Sequence, residues 1–440
     1  MNSGTHNKNF VLVTILTIIM GITFVRTAPV EAGNDPEREE WFMDLALGMF
    51  IHWSADSELG SVISHSMVGA SDEYLEKYIT ELPRYFNPRK FDPSHWAHLA
   101  KLAGMKYVVF TTKHHSGFCM FDTATTDFGI MNTPFGRDIT RDIADAFRGT
   151  DIATGFYFSP DDFHVLFRQG KDVSRRRPEA LPVNNPELMT HNKRQLTELL
   201  SGYGPVDMLF IDGQPDDLRE LAWELQPDIV VTRGEMETPE QKLPDSPMPG
   251  PWEACFTLGT QWQFKPTNES YKSGTELIEM LIETRAKGGN LLLNIGPAPN
   301  GEIPFEQERT LRELALWMFV NGESIYEVRP LGIIREDNIW FTRSKENDTV
   351  YAFVTGEPWK HGLRKEITIN SVRATDDTKI DILGQSGHVL EYNPYADPGT
   401  RWTQDESGLH ISAMRAQRLY NDRTWPNPVV FRITHASWEE

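Results

Sequence analysis

Residues 206–213 read Val-Asp-Met-Leu-Phe-Ile-Asp-Gly. A short apolar run stops there at a carboxylate followed by glycine. Gly202, Gly204 and Pro205 precede it, and Asp212-Gly213 closes it. An apolar run bounded by turn residues predicts a buried parallel strand over residues 208–211. Barrels of such strands keep their chemistry at the C-terminal strand ends. Asp212 is therefore the first candidate for a functional group. Taken alone, it suits a cap of the following turn or helix equally well.

Outward from this run the same pattern repeats. Further apolar runs at residues 46–51, 107–110, 155–158, 229–231 and 291–295 predict strands. Between them, residues 94–102, 186–200 and 275–286 carry helical spacing with start and stop residues. Strands interleaved with helices predict an α/β fold, here a (β/α)₈-like barrel. Six strands can be placed, and two more are expected between Thr232 and Gly274, where the pattern is weak. From Ile339 onward short alternating segments such as V-Y-A-F-V-T-G and V-V-F-R-I-T replace it. They predict a C-terminal antiparallel β-sandwich, with the boundary near Pro330: residues 33–330 for the barrel and 331–440 for the sandwich.

Acidic residues outnumber basic ones, 63 to 43. Such a balance disfavours a nucleic-acid backbone or an anionic membrane as partner and is neutral toward an uncharged ligand such as a sugar. Two cysteines, Cys119 and Cys255, allow at most one bridge and no disulfide framework. At the N-terminus, Lys8 precedes an apolar run from Phe10 to Val25, and small residues follow around Ala28 and Ala32. These are the regions of a secretory signal peptide, assigned to residues 1–32. The run is short for a membrane span. The expectation is export, to an extracellular, periplasmic or lysosome-like compartment, with no membrane attachment after cleavage.

Nearly every barrel strand ends in capable side chains. Ile51 leads to His52 and Trp53, and Phe110 to Lys113, His114 and His115. Tyr157 lies in a strand followed by Asp161 and Asp162, and Val231 leads to Arg233. Three chemistries fit this set. The first is a pair of carboxylates acting on a glycosidic bond, with histidines and aromatics holding the sugar. Asp212 would be one; Glu235, Glu237, Glu240 and Glu253 offer the other. Glu253 sits in P-W-E-A-C, an apolar setting that raises a carboxyl pKa and suits a general acid. The second is a metal site of His52, His114, His115 and carboxylates, although the spacing fits no standard motif and adjacent histidines would point apart on an extended segment. The third is structural, with histidines satisfied near a barrel rim. For His65, His95, His98 and His164 that role or plain exposure is preferred, and Trp96, Trp223 and Trp317 fit the core.

The segments G-M-F-I-H-W (48–53), T-T-K-H-H-S-G-F (111–118), G-P-V-D-M-L-F-I-D-G (204–213) and K-G-G-N-L-L-L-N-I-G-P-A-P-N-G (287–301), with V-N-G-E-S-I-Y (320–326), resemble the α-L-fucosidases of glycoside hydrolase family 29. The resemblance spans the first domain, and the C-terminal part fits in architecture. It implies an often irregular (β/α)₈-like barrel followed by a β-sandwich. It also implies exo-hydrolysis of terminal α-linked L-fucose with retention, without cofactor or metal. Asp212 matches the nucleophile. His52, His114 and His115 match ligands of the sugar hydroxyls, with Trp53 beside the first. Tyr157 and Arg233 match further contacts, and Trp262 an aromatic wall. The resemblance puts Glu253 ahead of Glu240 as acid/base. One departure is Ser116, where the family commonly carries aspartate.

The substrate expected is a fucosylated oligosaccharide or polysaccharide. Fucose carries a methyl at C6, so an apolar pocket from Phe50, Phe118, Trp262 or Phe264 is expected. Few basic residues flank the motifs, which disfavours a heavily sulfated substrate. Two alternatives stand beside this one: a retaining glycosidase for a related sugar such as galactose, and a catalytically inactive fucose-binding protein.

Overall fold

The structure, a computed structural model, describes Met1 and residues 33–438. The rest of the predicted leader lies outside the described residues. Seven parallel strands form the first sheet: β1 (Leu47–Ile51), β2 (Tyr107–Lys113), β3 (Ala153–Phe158), β4 (Met208–Ile211), β5 (Val230–Val231), β6 (Glu253–Thr257) and β7 (Asn290–Ile295). Their order is β5-β4-β3-β2-β1-β7-β6. The helices are α1 (Pro36–Leu45), α2 (Asp72–Thr80), α3 (Pro93–Leu102), α4 (Ile139–Arg148), α5 (Phe163–Arg168), α6 (Pro186–Gly202), α7 (Leu218–Leu225), α8 (Gly274–Ala286) and α9 (Phe305–Asn321). Asp92, two residues upstream of the expected start, caps α3, accepting from the N–H groups of Ser94 and His95. A capping box of Ser273 and Glu276 starts α8.

Of the two strands expected after Thr232, one is the regular β6. The other is irregular. Residues 236–241 run between β5 and β6, with parallel bridges from Glu237 to Trp252 and from Glu240 to Cys255. The N–H of Cys255 donates to the Pro239 carbonyl at 3.0 Å, and that of Gln241 to the Cys255 carbonyl at 3.0 Å. On the other side Arg233 bridges Met236. Pro239 has no N–H to donate, which keeps this segment from a regular ladder and hides it from the strand pattern.

Strand residues alternate between the barrel interior and the helices outside, as the two-residue period requires. Phe50, Tyr107, Val109, Tyr157, Met208, Phe210, Cys255 and Leu292 share one buried cluster with Phe42. Their strand neighbours Met49, Val108, Ala254, Leu291 and Leu293 belong to the cluster beneath the helices. Gly48 makes room for the interior: a Cβ there would lie 2.4 Å from the Tyr107 ring. Asp212 follows Met208 and Phe210 in the inward set, one residue past the end of β4.

Antiparallel pairing begins at Val328, two residues before the boundary read from the sequence. The strands are β8 (Val328–Glu336), β9 (Ile339–Ser344), β10 (Val350–Val354), β11 (Trp359–Lys360), β12 (Arg364–Ile369), β13 (Val372–Ile382), β14 (Arg401–Asp405), β15 (Gly408–Met414), β16 (Thr424–Trp425) and β17 (Val429–Trp438). They build a five-stranded sheet, β13-β17-β10-β9-β8, and a three-stranded one, β12-β15-β14, with β11 and β16 as a pair. Phe341, Phe353, Ile411 and Phe431 join the cluster of α3, α8 and α9, so sandwich and barrel share one core. Trp317 is fully buried and donates its indole N–H to the Pro428 carbonyl at 2.9 Å. Trp96 and Trp223 are buried too.

Candidate active site

A pocket opens at the C-terminal strand ends around Asp212. Both oxygens of this carboxylate are engaged. Oδ2 accepts from the Tyr157 hydroxyl at 2.7 Å and lies 3.4 Å from His115 Nε2. Oδ1 faces Arg233 Nη1 at 3.3 Å and Arg175 Nη2 at 3.4 Å. Burial alone would raise the Asp212 pKa; His115, the two guanidinium groups and the Tyr157 hydroxyl overcome it and hold the carboxyl well below its usual range. Asp212 is ionised, which a nucleophile requires.

The histidines are held by their second nitrogens. His52 Nδ1 meets Asn294 Oδ1 at 2.6 Å, while the Asn294 amide donates to the Trp262 carbonyl. His52 thus donates from Nδ1, leaving Nε2 as an acceptor for a ligand hydroxyl. His114 Nδ1 meets Ser64 Oγ at 2.8 Å, and His115 Nδ1 meets Ser159 Oγ at 2.6 Å. Burial pushes the His52 pKa down to about 4 and lowers His114 and His115 as well, favouring neutral rings. Both neighbouring rings reach the pocket, their centroids 4.1 Å apart. The expectation that they would diverge fails because β2 ends at Lys113 and the chain turns, Gly117 N–H donating to the His114 carbonyl. Gly117 adopts φ +85°, and any Cβ would lie 2.2 Å from the Asp162 carboxylate. Ser116, the departure from the family pattern, is fully buried, and its N–H donates to Ser64 Oγ at 2.9 Å. The same hydroxyl holds His114.

Phe50, Phe210, Trp262 and Cys255 form the apolar side of the pocket. The Phe50 ring lies 5.0 Å from Phe210 and 6.0 Å from Trp262. Of the other expected contributors, Phe118 packs on Phe86 and Phe128 in the core, and Phe264 lines a separate cleft.

Two residues expected in the site lie elsewhere. Trp53 follows inward-facing His52 and so faces out; it is fully buried against Phe86, Phe91 and Trp96. Glu253 faces the barrel axis but at the opposite end, being the first residue of β6. It is fully buried and accepts from the Tyr107 hydroxyl at 2.6 Å, Tyr107 being the first residue of β2. Burial pushes its pKa up to about 7. The apolar setting inferred for Glu253 is real, but it is the barrel floor.

Glu240 takes the place at the pocket. Its side chain is 44% exposed at the mouth, with Oε2 3.2 Å from both Nη1 and Nη2 of Arg233. The Arg233 guanidinium sits over the Phe210 ring and is further fixed by Thr238, whose Oγ1 and carbonyl accept from Nε and Nη2. Arg233 Nη1 therefore touches Asp212 and Glu240 together, and the two oxygens cannot be further apart than those two contacts added. Inverting glycosidases separate their carboxyl groups by about 6.5–9.5 Å and retaining ones by about 5–5.5 Å. The shared nitrogen keeps this pair at or below the lower edge of the inverting range.

Sequence reasoning missed His65 and Arg175, both of which line the pocket. His65 opens a short 3-10 helix and Arg175 lies on a loop, both away from the strand ends; the run of three arginines at 175–177 was the available signal for the second. Arg175 Nε also meets Asp161 Oδ2 at 2.5 Å. Ligand-type atoms of His114, His115 and Asp212 lie within 4.8 Å of one another. A metal cation there would face Arg175 and Arg233 across the same carboxylate, which argues against metal chemistry at this point. Cys119 and Cys255 are both buried and unbridged.

A parallel barrel with a carboxylate at a strand end, a second carboxylate within reach and a ring of buried histidines is the arrangement of a glycoside hydrolase. The α-L-fucosidase family model matches residues 26–323, and the chain belongs to that family, glycoside hydrolase family 29. Its activity is retaining hydrolysis of terminal α-linked L-fucose. Plasma α-L-fucosidase of Rattus norvegicus is 29% identical over 389 residues, covering 78% of this chain and 82% of its own. Tissue α-L-fucosidase of Mus musculus is 29% identical over 419 residues, covering 84% and 87%. Among solved structures, α-L-fucosidase isoenzyme 1 from Paenibacillus thiaminolyticus superimposes with a TM-score of 0.73 at 29% identity, covering 92% of this chain and 99% of its own. Among the described residues no helix is long and apolar enough to cross a membrane.

Proposed function

We propose that Asp212 is the nucleophile and Glu240 the acid/base of this retaining α-L-fucosidase. An Asp212 oxygen bonds to the anomeric carbon as the glycosidic C–O bond breaks, and Glu240 gives its proton to the departing oxygen. Glu240 then takes a proton from water, whose oxygen bonds to the same carbon and displaces Asp212. The observation that carries this assignment is Arg233, seated between the two carboxylates. Glu240 lies at the mouth, where a leaving group exits; Glu253, on the floor, has no path to one. His52, His114 and His115 hold ring hydroxyls and fix the anomeric carbon over Asp212. Phe50, Phe210 and Trp262 receive the C6 methyl, and this apolar wall favours fucose over galactose, whose C6 hydroxyl would lose its hydrogen bonds there.

The glycan substrate meets the enzyme outside the cytoplasm on this view, through the leader at residues 1–32. Hydrolysis of 4-nitrophenyl α-L-fucoside, with α- and β-D-galactosides in parallel, tests the substrate. Release from the fucoside alone is expected. Release from a galactoside at a comparable rate would overturn the sugar assignment, and fucose binding without turnover of any fucoside would point to an inactive binding protein.

A further inference from the structure

The loop that delivers Arg175 is the most basic stretch in the described chain. Residues 168–177 hold Arg168, Lys171, Arg175, Arg176 and Arg177 against one acid, Asp172, in a chain with a net charge of −20. Three of these cations are already matched: Arg168 by Glu76, Arg175 by Asp161 and Asp212, and Arg177 by Asp172. Lys171 and Arg176 have no acidic group within 4 Å among the described residues. A cleft lies beside the pocket, walled by the two segments that also line the pocket. His65 and Arg175 face the pocket, while Met67, Ser174 and Arg177 face the cleft. Lys171 lines it with the apolar side chains of Leu75 and Phe167, and its acids are Asp72 and the Arg177-bound Asp172.

We infer that this cleft receives the part of the substrate beyond the fucose, and that Lys171, which lines it, with the exposed Arg176 on the same loop, selects a leaving group bearing an anion, a sulfate ester or a carboxylate. The inference rests on the fucose ring occupying the Asp212 pocket. The apolar wall suits the face of a ring; Lys171 supplies a charge inside the cleft, and Arg176 a second on the exposed part of the loop. An acidic enzyme otherwise repels a polyanionic glycan, so local cations at the entrance set both the encounter and the preference. The motif-flanking positions lack such cations; the loop after α5 supplies them instead.

The test compares kcat/KM for 3-carboxyphenyl and 3-carbamoylphenyl α-L-fucoside, at low and high salt, in the wild type and in the double variant Lys171→Gln/Arg176→Gln. The carboxylate substrate is expected to be preferred at low salt and to lose that preference at high salt. In the variant its kcat/KM falls about 3- to 10-fold, the scale of two exposed charges, while the carbamoyl substrate is unaffected. Equal use of the two substrates by the wild type, or a preference that survives in the variant, overturns the inference. Failure of the wild type to cleave either compound would instead remove the fucose-site assignment beneath it, and the inference with it.

Discussion

The guanidinium of Arg233 meets the carboxylate of Glu240 at 3.2 Å. Nη1, which also reaches Glu240 Oε2 at 3.2 Å, holds Asp212 Oδ1 at 3.3 Å. One cation thus aligns both carboxylates. Lysine keeps the charge but presents a single point donor and cannot span both groups while bonding Thr238. Arg233→Lys should therefore lower kcat/KM tenfold or more, about what one lost charge-assisted hydrogen bond removes. Activity within twofold of wild type would show that the bridge is dispensable.

Tyr157 bears on the proposed nucleophile. Its hydroxyl bonds to Asp212 Oδ2 at 2.7 Å and favours the ionised carboxyl. Removing it in Tyr157→Phe lets the Asp212 pKa rise, so activity is lost at a higher pH on the acid side. The pH profile of kcat/KM should move its acid limb upward, with a fall of about 10- to 100-fold at the plateau. An unmoved acid limb would detach Tyr157 from that role.

Asp212→Ala should cost turnover several orders of magnitude while the protein stays folded, as circular dichroism and thermal melting can check. The residue follows the strand and holds none of its ladder bonds beyond its own N–H to Phe158. Turnover close to normal would remove Asp212 from the nucleophile's place.

Glu253 makes a prediction about stability. Its pKa is about 7 in the fold against an ordinary 4.5, so the folded state holds the proton more tightly than the unfolded chain. The stabilisation is fully present below about pH 4.5 and is lost as pH rises to about 7, where ionising a buried carboxyl opposes folding. The size is roughly 3 kcal/mol, from 1.36 kcal/mol per pKa unit. Glu253→Gln cannot ionise. Denaturation curves across this window should show the stability difference between variant and wild type shifting in the variant's favour by that order, with fucoside turnover retained. A pH-independent difference would contradict the protonated floor.

Much of the barrel was legible because period and boundary agree. The run at 208–211 coincides with β4, and the six strands placed from sequence are all present. The eighth position stayed hidden because Pro239 breaks its ladder. At the site, alternation places Asp212 in the pocket: Met208, Phe210 and Asp212 share one parity. The same rule, applied to His52, places Trp53 outside. Glu253, expected at the pocket, lies on the barrel floor. An apolar neighbourhood raises a carboxyl pKa at either end of a barrel, and composition cannot tell mouth from floor; its register, opposite Asn290 at the start of β7, can. His65 and Arg175 come from a short 3-10 helix and a loop whose paths no periodicity predicts.

The most direct measurement is azide rescue of the acid/base variants on 4-nitrophenyl α-L-fucoside. In Glu240→Ala the activated leaving group still departs, but the fucosyl-enzyme waits for a base to activate water. Azide needs no base. Azide is expected to accelerate turnover of Glu240→Ala and to yield α-L-fucosyl azide, with retained configuration, while Glu253→Ala, if it folds, shows neither. Rescue in Glu253→Ala and none in Glu240→Ala would contradict the assignment of Glu240 as acid/base.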